Sequence, residues 1–382
     1  MSESLASRRL RILVLNWRDP KHPQAGGAEA YLFEQAKLWT QWGHHVEWLT
    51  AGFPGCSRVE MLDGIRIRRV GNALTVYLAL PLAYLREFSG RFDVIVDSSN
   101  GIPFFSPLFT STPKICVMYH VHREVFKKHL PRWLAGILAW CEEKFVPFLY
   151  RKAHFVTISE DTLQEMQRVG IAKAGTGLVR CGVDARLVPG EKAAVPTVLY
   201  LGRLKAYKRV DLLVRAFAEV RKKVPSAILR IAGSGDARPG LEELVASLDC
   251  GTSVIFEGFV DDDRKRLLLQ QAWVSVATSE MEGWGITVIE ANACGTPTVA
   301  FSVPGLREAI ADTVSGLLVP EEGDLAPAIV SVLTDAALRG RLENGSVAHA
   351  AQFSWEHAAR EMLDEVAVAR SKAGNRVFPG PS

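Results

Sequence analysis

Two glutamates eight residues apart, Glu282 and Glu290, stand in a stretch whose pattern gives each something to hold. Residues 273–302 read WVSVATSEMEGWGITVIEANACGTPTVAFS: a β-type run at 274–277, a polar glycine-rich break, helical spacing over 286–293, and a second β-type run at 298–301. Strand, loop, helix, strand is a βαβ unit, and its loop falls at the carboxyl edge of a parallel sheet, where open α/β folds bind ligands. Glu282 precedes the helix, with Gly283 and Gly285 around Trp284, so the N–H groups of the first turn can face an anion. Glu290 shares a helix side with Ile286, Ala293 and Cys294, and a carboxylate among small and apolar neighbours needs a partner. One end of such a site suits hydroxyls and the other suits phosphate. The plain alternative makes Glu282 a helix cap and Glu290 a solvated surface residue.

A second cluster is cationic. Gly202-Arg203-Leu204 follows the β-type run 198–201, with Lys205 and Lys208 beyond it and a helix pattern starting near Val210. Cations at a strand's carboxyl edge beside a helix amino terminus make an anion site, unless they form only a charged surface run. Gly233 and Gly235 end another strand pattern and let a ligand or a backbone come close. Near the amino terminus, Gly26-Gly27 separates the run 12–16 from a helix pattern. The spacing is not G-x-G-x-x-G and no acidic residue ends the second strand, which argues against a nicotinamide cofactor. His120 ends the run 115–119, so it is better placed to meet a ligand than His22, His44, His45 or His154.

The elements that must position these residues form two α/β series. Strand patterns at 12–16, 46–50, 65–70, 94–97, 115–119 and 155–158 precede a turn-rich, weakly periodic stretch at 181–196, a plausible linker. A second series follows at 198–201, 228–232, 254–256, 274–277 and 298–301, and 355–369 is a further amphipathic helix. The chain has 382 residues, 48% hydrophobic and 23% charged, which is ordinary for a globular protein of two domains. A net charge of +3, from 45 basic and 42 acidic residues, gives no case for nucleic acid. Six scattered cysteines without CxxC spacing argue for a reducing cytoplasm and against a zinc site. The apolar segment 73–85, interrupted by Pro81, is short of the roughly 20 residues a spanning helix needs.

Taken as a set, Glu282 and Glu290 with their internal glycines, GRLKAYK from Gly202, AGSGD from Ala232, FEGFV from Phe256 and Gly26-Gly27 resemble the retaining family-4 glycosyltransferases of the GT-B fold. The resemblance covers nearly the whole chain and is most specific in the carboxyl-terminal half. It implies an α/β fold of two Rossmann-like doubly wound domains facing across a cleft, with the carboxyl-terminal helix packing back on the amino-terminal domain. The segments would be 1–187 on the acceptor side, 188–354 on the nucleotide-sugar side, and 355–382 as helix and tail. It also implies that Arg203 and Lys208 bind the donor diphosphate and that Glu290 holds ribose hydroxyls. Glu282 and the backbone after it, at Gly283, Trp284 and Gly285, would contact the donor sugar, with Gly233 and Phe259 completing the donor site. His120 would lie beside the sugar from the other domain, and Gly26-Gly27 would approach the phosphates. His120, Arg203, Lys208 and Glu282 are the catalytic candidates. Two positions depart from the pattern: Trp284 stands where many members have phenylalanine, and Arg209 where glycine commonly follows the lysine.

What the resemblance implies chemically is transfer of a hexosyl group from a nucleoside-diphosphate sugar, UDP- or GDP-linked, to an acceptor hydroxyl, with retention at the anomeric carbon. No metal or other cofactor is expected, because cations and helix N–H groups stabilise the leaving diphosphate; Asp261-Asp262-Asp263 reads as a helix cap rather than a metal motif. Glycan, glycolipid or other glycoconjugate synthesis is the expected setting. A sugar-nucleotide epimerase or a non-catalytic sugar-nucleotide-binding protein would use the same residues, and turnover without an acceptor would mark the epimerase. Residues 122–140 interleave Arg123, Lys127, Lys128 and Arg132 with aromatic and aliphatic residues. That suggests peripheral contact with an inner membrane face and a lipid-linked acceptor, or simply a helix with a core side and a solvated side.

Overall fold

The computed structural model describes residues 9–121, 131–171, 175–320 and 322–374. The chain divides into two compact units, one comprising residues up to Cys181 together with those from Trp355 onward, the other Gly182–Ser354.

The first unit is built on β1 (Arg11–Leu15), β2 (His45–Ala51), β3 (Val59–Leu62), β4 (Ile65–Val70), β5 (Val94–Ser99), β6 (Lys114–Met118), β7 (His154–Thr157) and β8 (Gly177–Leu178). They form one sheet in the order β3-β4-β2-β1-β5-β6-β7-β8, parallel except for the antiparallel pair β3 and β4. Central strands such as β1 and β5 are apolar runs buried on both faces, as parallel strands covered by helices must be. The strand order reverses between β1 and β5, so the loops after these strands diverge and leave a crevice.

The second unit carries β9 (Thr197–Leu201), β10 (Ile228–Ala232), β11 (Val254–Gly258), β12 (Val274–Ala277), β13 (Thr298–Phe301) and β14 (Gly316–Val319), parallel in the order β11-β10-β9-β12-β13-β14. Its reversal lies between β9 and β12, the strands that precede Arg203 and Glu282. The helix Val210–Lys223 shows how the layers lock together. Val210, Leu213, Val214, Phe217 and Val220 recur at helical spacing and are all buried in the unit's core. Asp211 in its first turn and Arg221, Lys222 and Lys223 in its last suit the helix dipole.

The helix Trp355–Lys372 does not stand apart as a third segment. Trp355, Ala359, Met362 and Val366 are buried, and the indole of Trp39 donates to the Ala359 carbonyl at 3.0 Å. A single helix cannot bury its own apolar stripe, and the surface of the first unit covers it. The helix Val76–Ala83 runs through Pro81 and widens into a π-helical turn at Tyr84–Phe88. Among the described residues no helix is long and apolar enough to cross a membrane. Of the stretch 122–140, residues 122–130 lie outside the described residues; the helix Arg132–Trp140 follows, with Trp133 and Trp140 exposed.

Each unit also holds a lysine withdrawn from water, Lys114 buried and Lys192 half-buried. Burial pulls both Lys114 and Lys192 down to about 8. Lys114 donates to the carbonyls of Thr110 and Thr112, and Lys192 to the Thr296 hydroxyl at 2.7 Å. Between about pH 8 and 10.5 the unfolded chain therefore binds more protons at these sites than the folded one, and their contribution to stability rises with pH. Relative to the Lys114→Met, Lys192→Met double variant, the native chain should gain up to about 3 kcal/mol per lysine across that window. Denaturant titrations of both proteins at pH 7.5 and 10 check this; parallel stability curves contradict it.

Candidate functional site

In the second unit the loops after β9 and β12 are bonded to each other. The Glu280 N–H donates to the Tyr207 carbonyl at 2.9 Å, and the Thr278 hydroxyl donates to the Lys208 carbonyl at 2.9 Å. These bonds bring Lys208 against Glu282, and the two form an ion pair in which both side chains are largely buried. The Ser279 hydroxyl donates to the same carboxylate at 2.7 Å, which fixes its orientation. Arg203 stands exposed on the same loop as Lys208, its guanidinium 3.0 Å from the Tyr207 hydroxyl. Arg203, Lys208 and Glu282 thus share the carboxyl edge of the sheet at the point where its strand order reverses.

The helix Ile286–Ala293 begins directly behind Glu282. Its cap, Gly285, has φ +86°, so the turn requires glycine, and a β-carbon there would press on the end of the Leu306 side chain at 2.9 Å. No side chain caps this helix, which leaves first-turn N–H groups for an anion. Glu290, one turn in, is the carboxylate that needs a partner, and it has one: the Lys265 ammonium at 2.9 Å. Lys265 also meets Asp262 at 3.4 Å. Burial pushes the Glu290 carboxyl above its usual range, with Lys265 opposing and Asp262 and Asp184 adding to the rise. For Lys265, burial works to lower the ammonium, and the facing carboxylates of Glu290 and Asp262 outweigh it, so its proton is held more tightly than usual. Glu290 is accordingly an oriented hydrogen-bond acceptor beside a fixed positive charge.

Arg209, where the sequence pattern favours glycine, adopts φ +48° and ψ +41°. The turn from Lys208 into the next helix demands the left-handed conformation, and arginine accepts a cost of about 1–2 kcal/mol there. Its guanidinium pairs with Asp211 at 3.2 Å and Glu280 at 3.4 Å, so the extra cation is tied to the loop junction.

The remaining sequence candidates are distributed less simply. Trp284 is buried, with its ring edge-on to Phe353 at 5.4 Å; the side chain serves packing, and only the backbone of this residue lies in the loop edge. Phe259, just past β11, is 85% exposed. Gly233 serves its neighbour strand's loop: the Gly202 N–H donates to the Ala232 carbonyl at 3.0 Å, the Leu204 N–H to the Ser234 carbonyl at 2.9 Å, and a β-carbon on Gly233 would overlap the Gly202 carbonyl. Asp261 caps the helix Asp262–Gln271 through the Arg264 N–H at 2.8 Å, while Asp262 and Asp263 pair with Lys265 and Arg266.

In the first unit, Gly26 and Gly27 open the helix Gly27–Gln41 after β1, and Glu29 reaches back to the Gly26 N–H at 2.7 Å. His120 is half-buried just after β6. Its neighbour Tyr119 bonds the Ala28 carbonyl at 3.2 Å, so Gly26, Gly27 and His120 share one edge of that unit. Sequence reasoning missed Lys265, Ser279 and Tyr207. Ser279 and Tyr207 lie beside recognised motifs, whereas nothing local links Lys265 to a carboxylate 25 residues away.

Residues 25–187 match the model of Glycosyltransferase Family 4, and residues 186–347 that of Glycosyl transferases group 1. The D-inositol 3-phosphate glycosyltransferase of Nocardia farcinica is 34% identical over 231 residues, covering 55% of this chain and 51% of that protein. The chain spans about half the length of the curated relatives it matches. Among solved structures, sucrose-phosphate synthase from Thermosynechococcus elongatus has a TM-score of 0.79 at 23% identity, over 95% of this chain and 100% of that one. Anabaena HepE in complex with UDP and glucose has a TM-score of 0.76 at 17% identity, over 94% and 100%. The structural likenesses establish the fold, and the two models together take in both units and the residues that line their strand edges. The chain belongs to the family-4, group-1 glycosyltransferases and has their GT-B fold.

Proposed function

We propose that the protein transfers a sugar from a nucleoside-diphosphate sugar to an acceptor hydroxyl, with retention and without a metal. The observation that carries this reading is the junction of Lys208, Glu282 and the uncapped helix amino terminus at the sheet's reversal point, with Glu290 one turn deeper. The diphosphate lies against Arg203, Lys208 and the helix N–H groups, and Glu290, oriented by Lys265, accepts the ribose hydroxyls. The bond from the anomeric carbon to the phosphate oxygen breaks with its electron pair going to the phosphate. The acceptor oxygen bonds to the same face of that carbon, and its proton passes to the released phosphate. Lys208 and Arg203 meet the negative charge as it develops. Uracil is the first base to try, as a UDP-sugar, since UDP and glucose occupy the HepE structure. The name of the Nocardia relative makes a phosphate-bearing cyclitol a reasonable first acceptor.

The test is a thermal-shift screen of nucleoside-diphosphate sugars, because a ligand present at 100 times its Kd stabilises the folded state by about 2.7 kcal/mol. At least one donor should raise the melting temperature, with EDTA present or absent. Glu290→Gln should weaken that donor about 10- to 100-fold, through loss of charged hydrogen bonds. A shift that appears only with added magnesium or manganese overturns the metal-free part of the reading. Unchanged affinity in Glu290→Gln overturns the ribose assignment.

A further inference from the structure

The helix Val76–Ala83 and the turn after it are apolar on both sides. Val76, Leu80, Tyr84 and Phe88 face inward and join the core with Leu13, Leu49 and Phe104. On the other side Leu78, Leu82 and Leu85, with Leu74 just before the helix cap Thr75, form a row in which every member is between 52% and 89% exposed. A helix apolar all round belongs in a core, and a surface helix of a globular domain carries polar residues outward. Four leucines in one line are therefore an exposed patch with a use.

The ground beside the row is cationic. A hollow of ≈ 670 Å³ lies between this helix and the β3–β4 hairpin, and its wall includes Leu82 together with Arg58, Arg68, Arg69 and Arg86. Arg69 is already held by Asp19 and Glu60, and Arg68 by Glu87, the one acidic residue in the wall. Arg58 and Arg86 are exposed and neither forms an ion pair among the described residues, although Arg68 holds the Glu87 carboxyl below the usual range and Arg58 is near enough to help. A leucine row bordering an arginine-lined hollow offers acyl chains one surface and phosphates the other. A second copy of the chain fits less well, because two-fold pairing through the leucines would set one arginine rim against the other.

We propose that this face, from Leu74 to Arg86 with Arg58, is a peripheral membrane-binding surface for anionic phospholipid. The leucines enter the boundary between headgroups and acyl chains, and Arg58 and Arg86 meet lipid phosphates. The surface is separate from the residues 122–140 singled out in the sequence, and it stands whether or not the donor assignment is right, since its readout is binding.

The experiment is co-sedimentation of the full chain with vesicles of phosphatidylcholine alone or mixed with phosphatidylglycerol. Binding should appear with the mixed vesicles and weaken as salt is raised. Leu78→Ser with Leu82→Ser should lower partitioning at least about tenfold, because each removes an apolar side chain from the lipid boundary. Arg58→Glu with Arg86→Glu should lower it about tenfold or more. All four positions are exposed, so an unchanged melting temperature separates lost binding from lost folding. Absence of binding to mixed vesicles, or equal binding by the leucine variant, overturns the proposal. So does a native dimer in solution that the leucine variant converts to monomer.

Discussion

Lys208→Met should lower kcat for sugar transfer about 100- to 1,000-fold, the loss typical when one preorganised group is removed from a site of developing negative charge. The ion pair makes the effect larger than a simple charge deletion. Lys208 sits against Glu282 with both side chains mostly buried, so removing the ammonium leaves a carboxylate facing the place assigned to the diphosphate. Donor affinity should fall together with kcat, through repulsion as well as through loss of a contact. The second substitution distinguishes the two causes. Adding Glu282→Gln to Lys208→Met removes the repulsion but restores no cation, so nucleoside-diphosphate affinity should recover by about tenfold while kcat stays low. The bonds from the Glu280 N–H to the Tyr207 carbonyl and from the Thr278 hydroxyl to the Lys208 carbonyl end on main-chain oxygens and remain to hold the two loops together, which keeps the fold out of the comparison. Steady-state kinetics with the donor found by thermal shift, and calorimetric binding of the nucleoside diphosphate alone, give both quantities. Wild-type kcat in Lys208→Met removes this lysine from the chemistry. A double variant that binds no better than the single one removes Glu282 from contact with the phosphate.

The parts of this arrangement that the sequence displayed are those in which cause and effect are close along the chain. Glu282, the glycines around it and the helix carrying Glu290 form one continuous segment, so period and turn chemistry suffice to place both carboxylates. Most strands that were legible are continuous apolar runs, such as β1 and β9, and β4 was legible from its alternation. Those that were not are short: β3 alternates its burial over only four residues, β14 has four with its middle pair only partly buried, and β8 has two. Their identity as strands depends on a partner elsewhere, which no local pattern records. The same limit hid Lys265, whose meaning comes from Glu290 on another helix. Trp284 shows the converse case. It sits inside the motif, where the resemblance gives the sugar contact to the backbone and leaves the ring without a role, and the ring turns inward against Phe353. Arg209 was flagged only as a departure, and its positive φ is what gives the departure meaning: the turn has one shape, and a residue poorly suited to it is held there by Asp211 and Glu280.

Gly233→Ala should destabilise the second unit by about 3–5 kcal/mol, more than any exposed substitution near the site. Two causes combine. Gly233 has φ +140°, a region side chains rarely occupy, which costs about 1–3 kcal/mol. The added methyl would also overlap the Gly202 carbonyl oxygen and stand 2.8 Å from its carbon, and backbone cannot move aside as a flexible side chain can. Relief would require the loops after β9 and β10 to separate, which breaks the Gly202 to Ala232 and Leu204 to Ser234 hydrogen bonds and the bond from the Gly233 N–H to the Gly258 carbonyl at 2.7 Å. Those bonds also set the main chain of Arg203, whose carbonyl accepts from the Tyr200 hydroxyl at 3.0 Å. Gly233 therefore acts on Arg203 as a positioning residue. Gly240→Ala is the matched control: that glycine lies in the helix Arg238–Ser247 with open space around it, and alanine there should be neutral or stabilising by up to about 1 kcal/mol. Chemical denaturation followed by tryptophan fluorescence should show the transition of the second unit shifting to lower denaturant in Gly233→Ala and not in Gly240→Ala. If instead Gly233→Ala keeps native stability and loses only donor affinity, the glycine is there for the ligand, and the close approach of the two loops is not what its conformation serves.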